Sequence, residues 1–196
     1  CWDAGAHHGY VTLLLSARVG AAGSVHAFEP AEGNRAHLVR HVRWNSRTAA
    51  RVHPFALSAH DGHATFGGVG TSRMFHLGAD GPTVPTRTPA SVIADESCPA
   101  PDFAKIDVEG AEADVLESLI PLLPPTARLI VAIHNHEQDA RCTRALDAAG
   151  FKHVPTQQLA INRRQWRWVS DPDLVAVGPA GGDVTVLEAL IRRTGA

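Results

Sequence analysis

Cysteine, long apolar runs and an excess of either charge are what this 196-residue chain has little of. Its three cysteines, Cys1, Cys98 and Cys142, lie far apart and are odd in number. Without a C-x-x-C pair they give no sign of a disulfide framework or of a structural zinc, and a reducing cytoplasm is the expected location. The longest apolar stretches, Val11 to Leu15 and Leu129 to Ile133, fall far short of the ~20 residues that cross a bilayer. No signal-peptide pattern opens the chain, so no membrane partner is expected. Lys and Arg number 18 against 20 Asp and Glu, and the net charge of -2 provides no long-range field to hold a phosphate backbone. Nucleic acid is therefore not an expected partner. The densest basic cluster, Arg163, Arg164 and Arg167 around Trp166 and Trp168, reads as a solvated loop or a substrate rim. An initiator Met is also lacking, and residue 1 begins inside what reads as a strand. The expectation is a single domain over residues 1–196 whose N-terminal segment, with any lid it carries, is missing.

What is present is an alternation of short β-branched runs with longer segments of helical period, the signature of a parallel sheet covered on both faces. Strands are expected at Cys1 to Ala4, Ser24 to Phe28, Arg51 to Leu57, Phe103 to Ile106 and Leu129 to His134, followed by Phe151 to Pro155 and an antiparallel Leu174 to Val177. Helices are expected at Tyr10 to Arg18, Glu32 to Asn45, Ala111 to Ile120 and Asp139 to Ala149, the last stopped by Gly150, with a shorter one around Ser91 to Asp95. A stretch rich in Gly, Thr and Pro, Asp61 to Pro89, reads as a small β excursion. A connecting loop over Gln157 to Ser170 and a final helix over Asp183 to Arg193 complete the reading.

The first strand runs into the first helix through Asp3-Ala4-Gly5-Ala6-His7-His8-Gly9. Two glycines let backbone approach a ligand at the carboxyl edge of the sheet, where open α/β folds bind their ligands. The dinucleotide fingerprint needs further glycines where this chain has His7 and Tyr10, which disfavours a nicotinamide or flavin cofactor. Asp3 can instead receive an ammonium. Glu29 ends the second strand, about 20 residues past the turn, where an acid meets ribose hydroxyls; an acid favoured by the dipole of the following helix is the competing reading.

Four blocks, in order, carry a resemblance: Asp3-Ala4-Gly5-Ala6-His7-His8-Gly9-Tyr10 through Leu15; Ala27-Phe28-Glu29-Pro30; Phe55-Ala56-Leu57-Ser58 with Asp61-Gly62; and Asp102-Phe103-Ala104-Lys105-Ile106-Asp107-Val108-Glu109-Gly110-Ala111-Glu112. Over about residues 1 to 155 the chain resembles the FkbM-type methyltransferases, which use S-adenosylmethionine and whose characterised members mostly methylate hydroxyls. The resemblance implies a doubly wound, mostly parallel, seven-stranded sheet of the Rossmann-like methyltransferase kind. It implies that Asp3, Gly5, Ala6, Gly9 and Glu29 line the cofactor with His7 and Pro30 beside them, that Ala56, Leu57 and Ser58 lie near the adenine, and that Asp107 faces the sulfonium end. The family usually has Asn where this chain has His7, and a Leu-Asp pair where it has Pro89 and Ala90. His7 can still donate a hydrogen bond to the cofactor carboxylate.

For a hydroxyl acceptor a base is required. Asp107 is the first choice, with Glu109 beside it if the strand stays extended; helix capping is the competing role for both. His134, at the end of the fifth strand, can accept a proton near neutral pH. Lys105 inside a strand calls for a salt bridge rather than catalysis. His134, Asn135, His136 and Glu137 do not combine into a metal site, because neighbouring residues at a strand end alternate direction. Ser72, Arg73, His76 and Trp166 are candidates for acceptor contact. The expected acceptor is a small molecule, sugar or glycan. N-methylation, a binding module without turnover and a nucleotide-dependent dehydrogenase remain open alternatives.

Overall fold

The computed structural model describes residues 1–47, 49–67, 76–77, 81–95, 98–155 and 174–182. The expected connecting loop and final helix lie outside these residues, as do Ser72, Arg73, Trp166 and the Arg163–Trp168 cluster, and the side chain of His76 is likewise outside them.

Strands β1 (Trp2–Ala4), β2 (Val25–Phe28) and β3 (Ala50–His53) alternate with helices α1 (Tyr10–Ser16) and α2 (Glu32–Trp44). Then come β4 (Ala56–Leu57), β5 (Gly62–Gly67), β6 (His76–Leu77), β7 (Thr83–Arg87) and α3 (Pro89–Ala94). The second half runs β8 (Phe103–Ile106), α4 (Glu112–Leu119), β9 (Arg128–Val131), α5 (His136–Ala148), β10 (Lys152–Pro155) and β11 (Leu174–Val177). The principal sheet has seven strands in the order β10-β11-β9-β8-β1-β2-β3. The five strands from β9 to β3 are parallel, and β11 is antiparallel to both its neighbours.

Strand alternation sends successive side chains to opposite faces. Trp2, Phe28, Ile106, Leu129 and Val131 join α3, α4 and α5 in the main apolar core, whereas Ala27 packs with Ala6 and Leu38 beneath α2. Each fully buried large apolar side chain contributes ~1.5–3 kcal/mol by leaving water. The strand order reverses between β1 and β8, and in open α/β sheets ligands bind outside the carboxyl ends of strands at such a point.

Three boundaries differ from the sequence expectation for physical reasons. The strand expected over Arg51 to Leu57 divides, and β4 leaves the main sheet to pair with β7; Pro54 supplies no N–H to continue the ladder. The strand expected to reach His134 ends at Val131, after which only the Ala132 N–H donates to Ile106 O before the chain turns. Helix α5 begins at His136 rather than Asp139, because the Asn135 side chain accepts from the Gln138 N–H and caps it. The β excursion is a second small sheet, β4-β7-β5-β6. Asp61 Oδ1 closes it by accepting from the Thr88 N–H and the Ser91 hydroxyl at the start of α3.

Candidate functional site

The loop from Gly5 to Gly9 is held against the ends of β2 and β8. Gly5 and Ala6 both donate N–H to Phe28 O at 3.1 Å. Gly5 has φ +74°, and a Cβ there would stand 1.8 Å from Asp107 O, so only glycine fits between the two strand ends. His7 also takes positive φ, 50°. Asn and His enter this left-handed region more readily than most residues, which accounts for a histidine where the resembled family has Asn. Gly9, at φ 90°, is the N-cap of α1.

Glu29 is buried and braces this loop against α2. Its Oε2 accepts from the His7 N–H at 2.7 Å and its Oε1 from the Ala31 N–H at 2.9 Å. Burial pushes the Glu29 carboxyl up, opposed by these two donations and by one from the Asn34 side chain. A carboxylate has about four acceptor sites, so capacity remains for a ribose hydroxyl. Pro30 follows, its carbonyl taken by Arg35 at 2.7 Å. Ala56 and Leu57 are buried in β4, and the Ser58 N–H donates to Arg87 O at 3.0 Å.

Asp3, the residue expected to receive the cofactor's ammonium, is paired within the protein. It is 0% exposed. Its Oδ2 accepts from the Thr12 hydroxyl at 2.6 Å, and its Oδ1 faces Lys105 Nζ at 3.4 Å with no hydrogen bond. The two residues are direct register partners on β1 and β8. Asp3 thus ties α1 to Lys105. The Lys105 ammonium also donates to Gly5 O at 2.7 Å and lies 3.3 Å from Asp107 Oδ2. Burial disfavours its charge, but Asp3 and Asp107 outweigh that and hold its pKa above the ordinary lysine value.

His134 stands among three carboxylates. Its Nδ1 lies 2.9 Å from Glu112 Oε1, its Nε2 lies 3.1 Å from Glu109 Oε2, and Asp107 Oδ1 is 3.6 Å away. The Glu109 and then the Glu112 hydrogen bond raise its pKa to about 10 against the opposing effect of burial. With the pKa raised to about 10, both ring nitrogens carry protons at neutral pH and His134 is a cation among carboxylates. Donor atoms of Asp107, Glu112 and His134 lie within 4.8 Å of one another, yet the imidazole spends both nitrogens on carboxylates.

Glu112 is the residue sequence reasoning missed. It is 0% exposed and accepts from the Val108 N–H at 3.1 Å and from the Gly110 N–H with both oxygens at 3.0 Å. It thereby satisfies the amides before α4, the task that competed for Asp107 and Glu109. Helix α4 starts at Glu112, and Glu109 turns through φ 54° rather than continuing the strand. Even so, His134 draws Glu109 back beside Asp107. Both of these side chains are 36% exposed. The signal for Glu112 was its place at the end of the Lys105–Glu112 run, immediately before a helix.

The structure is similar to an rRNA methylase from Streptococcus thermophilus, at 16% identity over 90% of this chain and 84% of that one, with TM-score 0.53. It is similar to precorrin-6y C5,15-methyltransferase from Geobacter metallireducens, at 11% identity over 90% and 77%, with TM-score 0.55. It is also similar to an O-methyltransferase from Bacillus cereus in complex with SAH, at 14% identity over 90% and 72%, with TM-score 0.54. At these identities the likeness concerns the fold. No match was found among curated proteins. Among the described residues no helix is long and apolar enough to cross a membrane. The Methyltransferase FkbM domain matches residues 3–153, spanning the Gly5 loop, Glu29 and the whole Lys105–Glu112 run, and the chain belongs to that methyltransferase family.

Proposed function

We propose that this methyltransferase, with S-adenosylmethionine as its cofactor, transfers the methyl group to a hydroxyl of a small molecule, sugar or glycan. One observation carries the choice of base: Asp107 and Glu109 keep side chains 36% exposed at the carboxyl edge of the sheet, whereas Asp3 and Glu112 beside them are 0% exposed. In this reading the Gly5–Gly9 loop, with Ala6 and His7, receives the amino-acid portion of the cofactor. Glu29, next to Pro30, receives the ribose, and Ala56, Leu57 and Ser58 border the adenine. The snug Gly5 backbone and the remaining acceptor capacity of Glu29 fit such a group.

When bound, S-adenosylmethionine supplies a methyl group already activated on a sulfonium. Asp107 accepts the acceptor's hydroxyl proton, a contribution of roughly 10²–10⁴ in rate for a well-placed base. Lys105 fixes the Asp107 side chain and the Gly5 carbonyl together. His134, protonated on both nitrogens, holds Glu109 next to Asp107 and keeps Glu112 paired. The carboxylate pair also favours a cation in the crevice.

The test is methyl transfer to a panel of polyhydroxylated and amine acceptors with Asp107→Asn and Glu109→Gln. Retained cofactor binding with hydroxyl methylation lost in Asp107→Asn supports the assignment. Methylation of amines that is indifferent to Asp107 would remove the O-methyl reading.

A further inference from the structure

Away from the crevice, on the sheet face covered by α3, α4 and α5, three soft donors converge from elements distant in sequence. His26 lies in β2, His53 ends β3, and Cys98 follows α3. One ligand atom from each lies within 4.8 Å of the other two. The two imidazoles are stacked with centroids 5.2 Å apart, and His26 Nδ1 is 3.0 Å from His53 Nε2, so they share a single proton. His26 is 1% exposed, and its Nε2 has no hydrogen-bond partner among the described residues. A buried polar nitrogen left without a partner is costly, so a ligand for it is favoured.

The surroundings hold the donors in place. Cys98 is 1% exposed, its N–H donates to Asp95 O at 2.9 Å, and the next residue, Pro99, accepts from the Trp2 indole N–H at 3.1 Å. Trp2 and His26 are register partners on adjacent strands. His53 is half-buried, which leaves a route from solvent. Two imidazoles and a thiolate form a donor set suited to a borderline-soft cation.

We propose that His26, His53 and Cys98 form a Zn²⁺ site, with a water or the Asp95 carboxylate completing a tetrahedron. Burial lowers His26 to about 4 and His53 below its ordinary value, so both rings are neutral; metal uptake replaces the hydrogen bond between them, which frees the accepting ring's lone pair. Burial also raises the Cys98 thiol to about 11, so uptake of the metal expels the thiol proton. The ion staples β2, β3 and the segment before β8. The Glu29 N–H donates to His53 O, so the staple lies directly behind a residue assigned to the cofactor.

The experiment is titration of the metal-free full chain with Co²⁺, followed by displacement with Zn²⁺. The expected result is one ion per chain with a thiolate-to-cobalt charge-transfer band. In Cys98→Ser the band vanishes, in His53→Ala affinity falls by at least about tenfold, and Zn²⁺ raises the wild-type melting temperature. Circular dichroism of the metal-free variants establishes that they are folded. Cobalt bound without a thiolate band, which would direct it to Asp107, Glu112 and His134, overturns the proposal. So does absence of binding by the folded wild type.

Discussion

His134 and Glu112 form an ion pair of 2.9 Å in which the carboxylate is 0% exposed and the imidazolium is 29% exposed. The pair joins the end of β9 to the start of α4, and the other ring nitrogen extends the link to Glu109.

Because the pKa of His134 rises from 6.5 to about 10 on folding, the folded state binds this proton more tightly than the unfolded chain. The resulting stabilisation is complete below pH 6.5 and is lost as pH climbs through about 10. The melting temperature of wild type minus that of His134→Gln should therefore shrink across that window. An NMR titration that finds the ring deprotonating near 6.5 would contradict the pairing.

Removing Lys105 strands a buried charge. Lys105→Met leaves Asp3 with the Thr12 hydroxyl alone and should cost about 3–5 kcal/mol by denaturant unfolding. The double variant Asp3→Asn, Lys105→Met should recover part of the loss. Strict additivity of the two changes would show that the cross-strand pair is not coupled.

Gly5 and Gly9 should respond differently to alanine although both have positive φ. At Gly5 the new Cβ meets the Asp107 carbonyl at 1.8 Å, which is backbone; at Gly9 it meets Leu38 Cδ1 at 2.4 Å, the far end of a flexible side chain. Gly5→Ala should abolish cofactor binding, and Gly9→Ala should weaken it and cost ~1–3 kcal/mol of backbone strain. Calorimetric titration with S-adenosylmethionine on both variants decides the point.

Glu29→Gln keeps the size of the side chain but removes its charge. A hydrogen bond to a charged group contributes about 1.5–3 kcal/mol, so affinity for S-adenosylmethionine and its demethylated product should fall roughly 10- to 100-fold. Equal affinity in a folded variant would leave Glu29 with only its bracing role toward His7 and Ala31.

The order and kind of the elements were legible in the sequence because each strand and helix is a local pattern. Phe103–Ile106 and the antiparallel Leu174–Val177 stand as read. Boundaries slipped where one residue's backbone chemistry decided them, at Pro54 and at the Asn135 cap. The Gly5 turn, Glu29 and the Lys105–Glu112 run were also legible, since close backbone approach and acids at strand ends confine the choice of residue.

By itself the sequence determined the alternating architecture and the methyltransferase family. Only the tertiary structure decided the protonation and exposure of the charged groups. Asp3, Asp107, Glu109 and Glu112 are all acids in the sequence, but one is buried against a lysine, one is buried at a helix start and two remain partly exposed. Charge and access depend on the atoms that other strands bring within a few ångströms, and spacing along one chain does not specify them. The same holds for His26, His53 and Cys98, whose convergence follows from the register of β2 with β3 and from the return of the chain after α3.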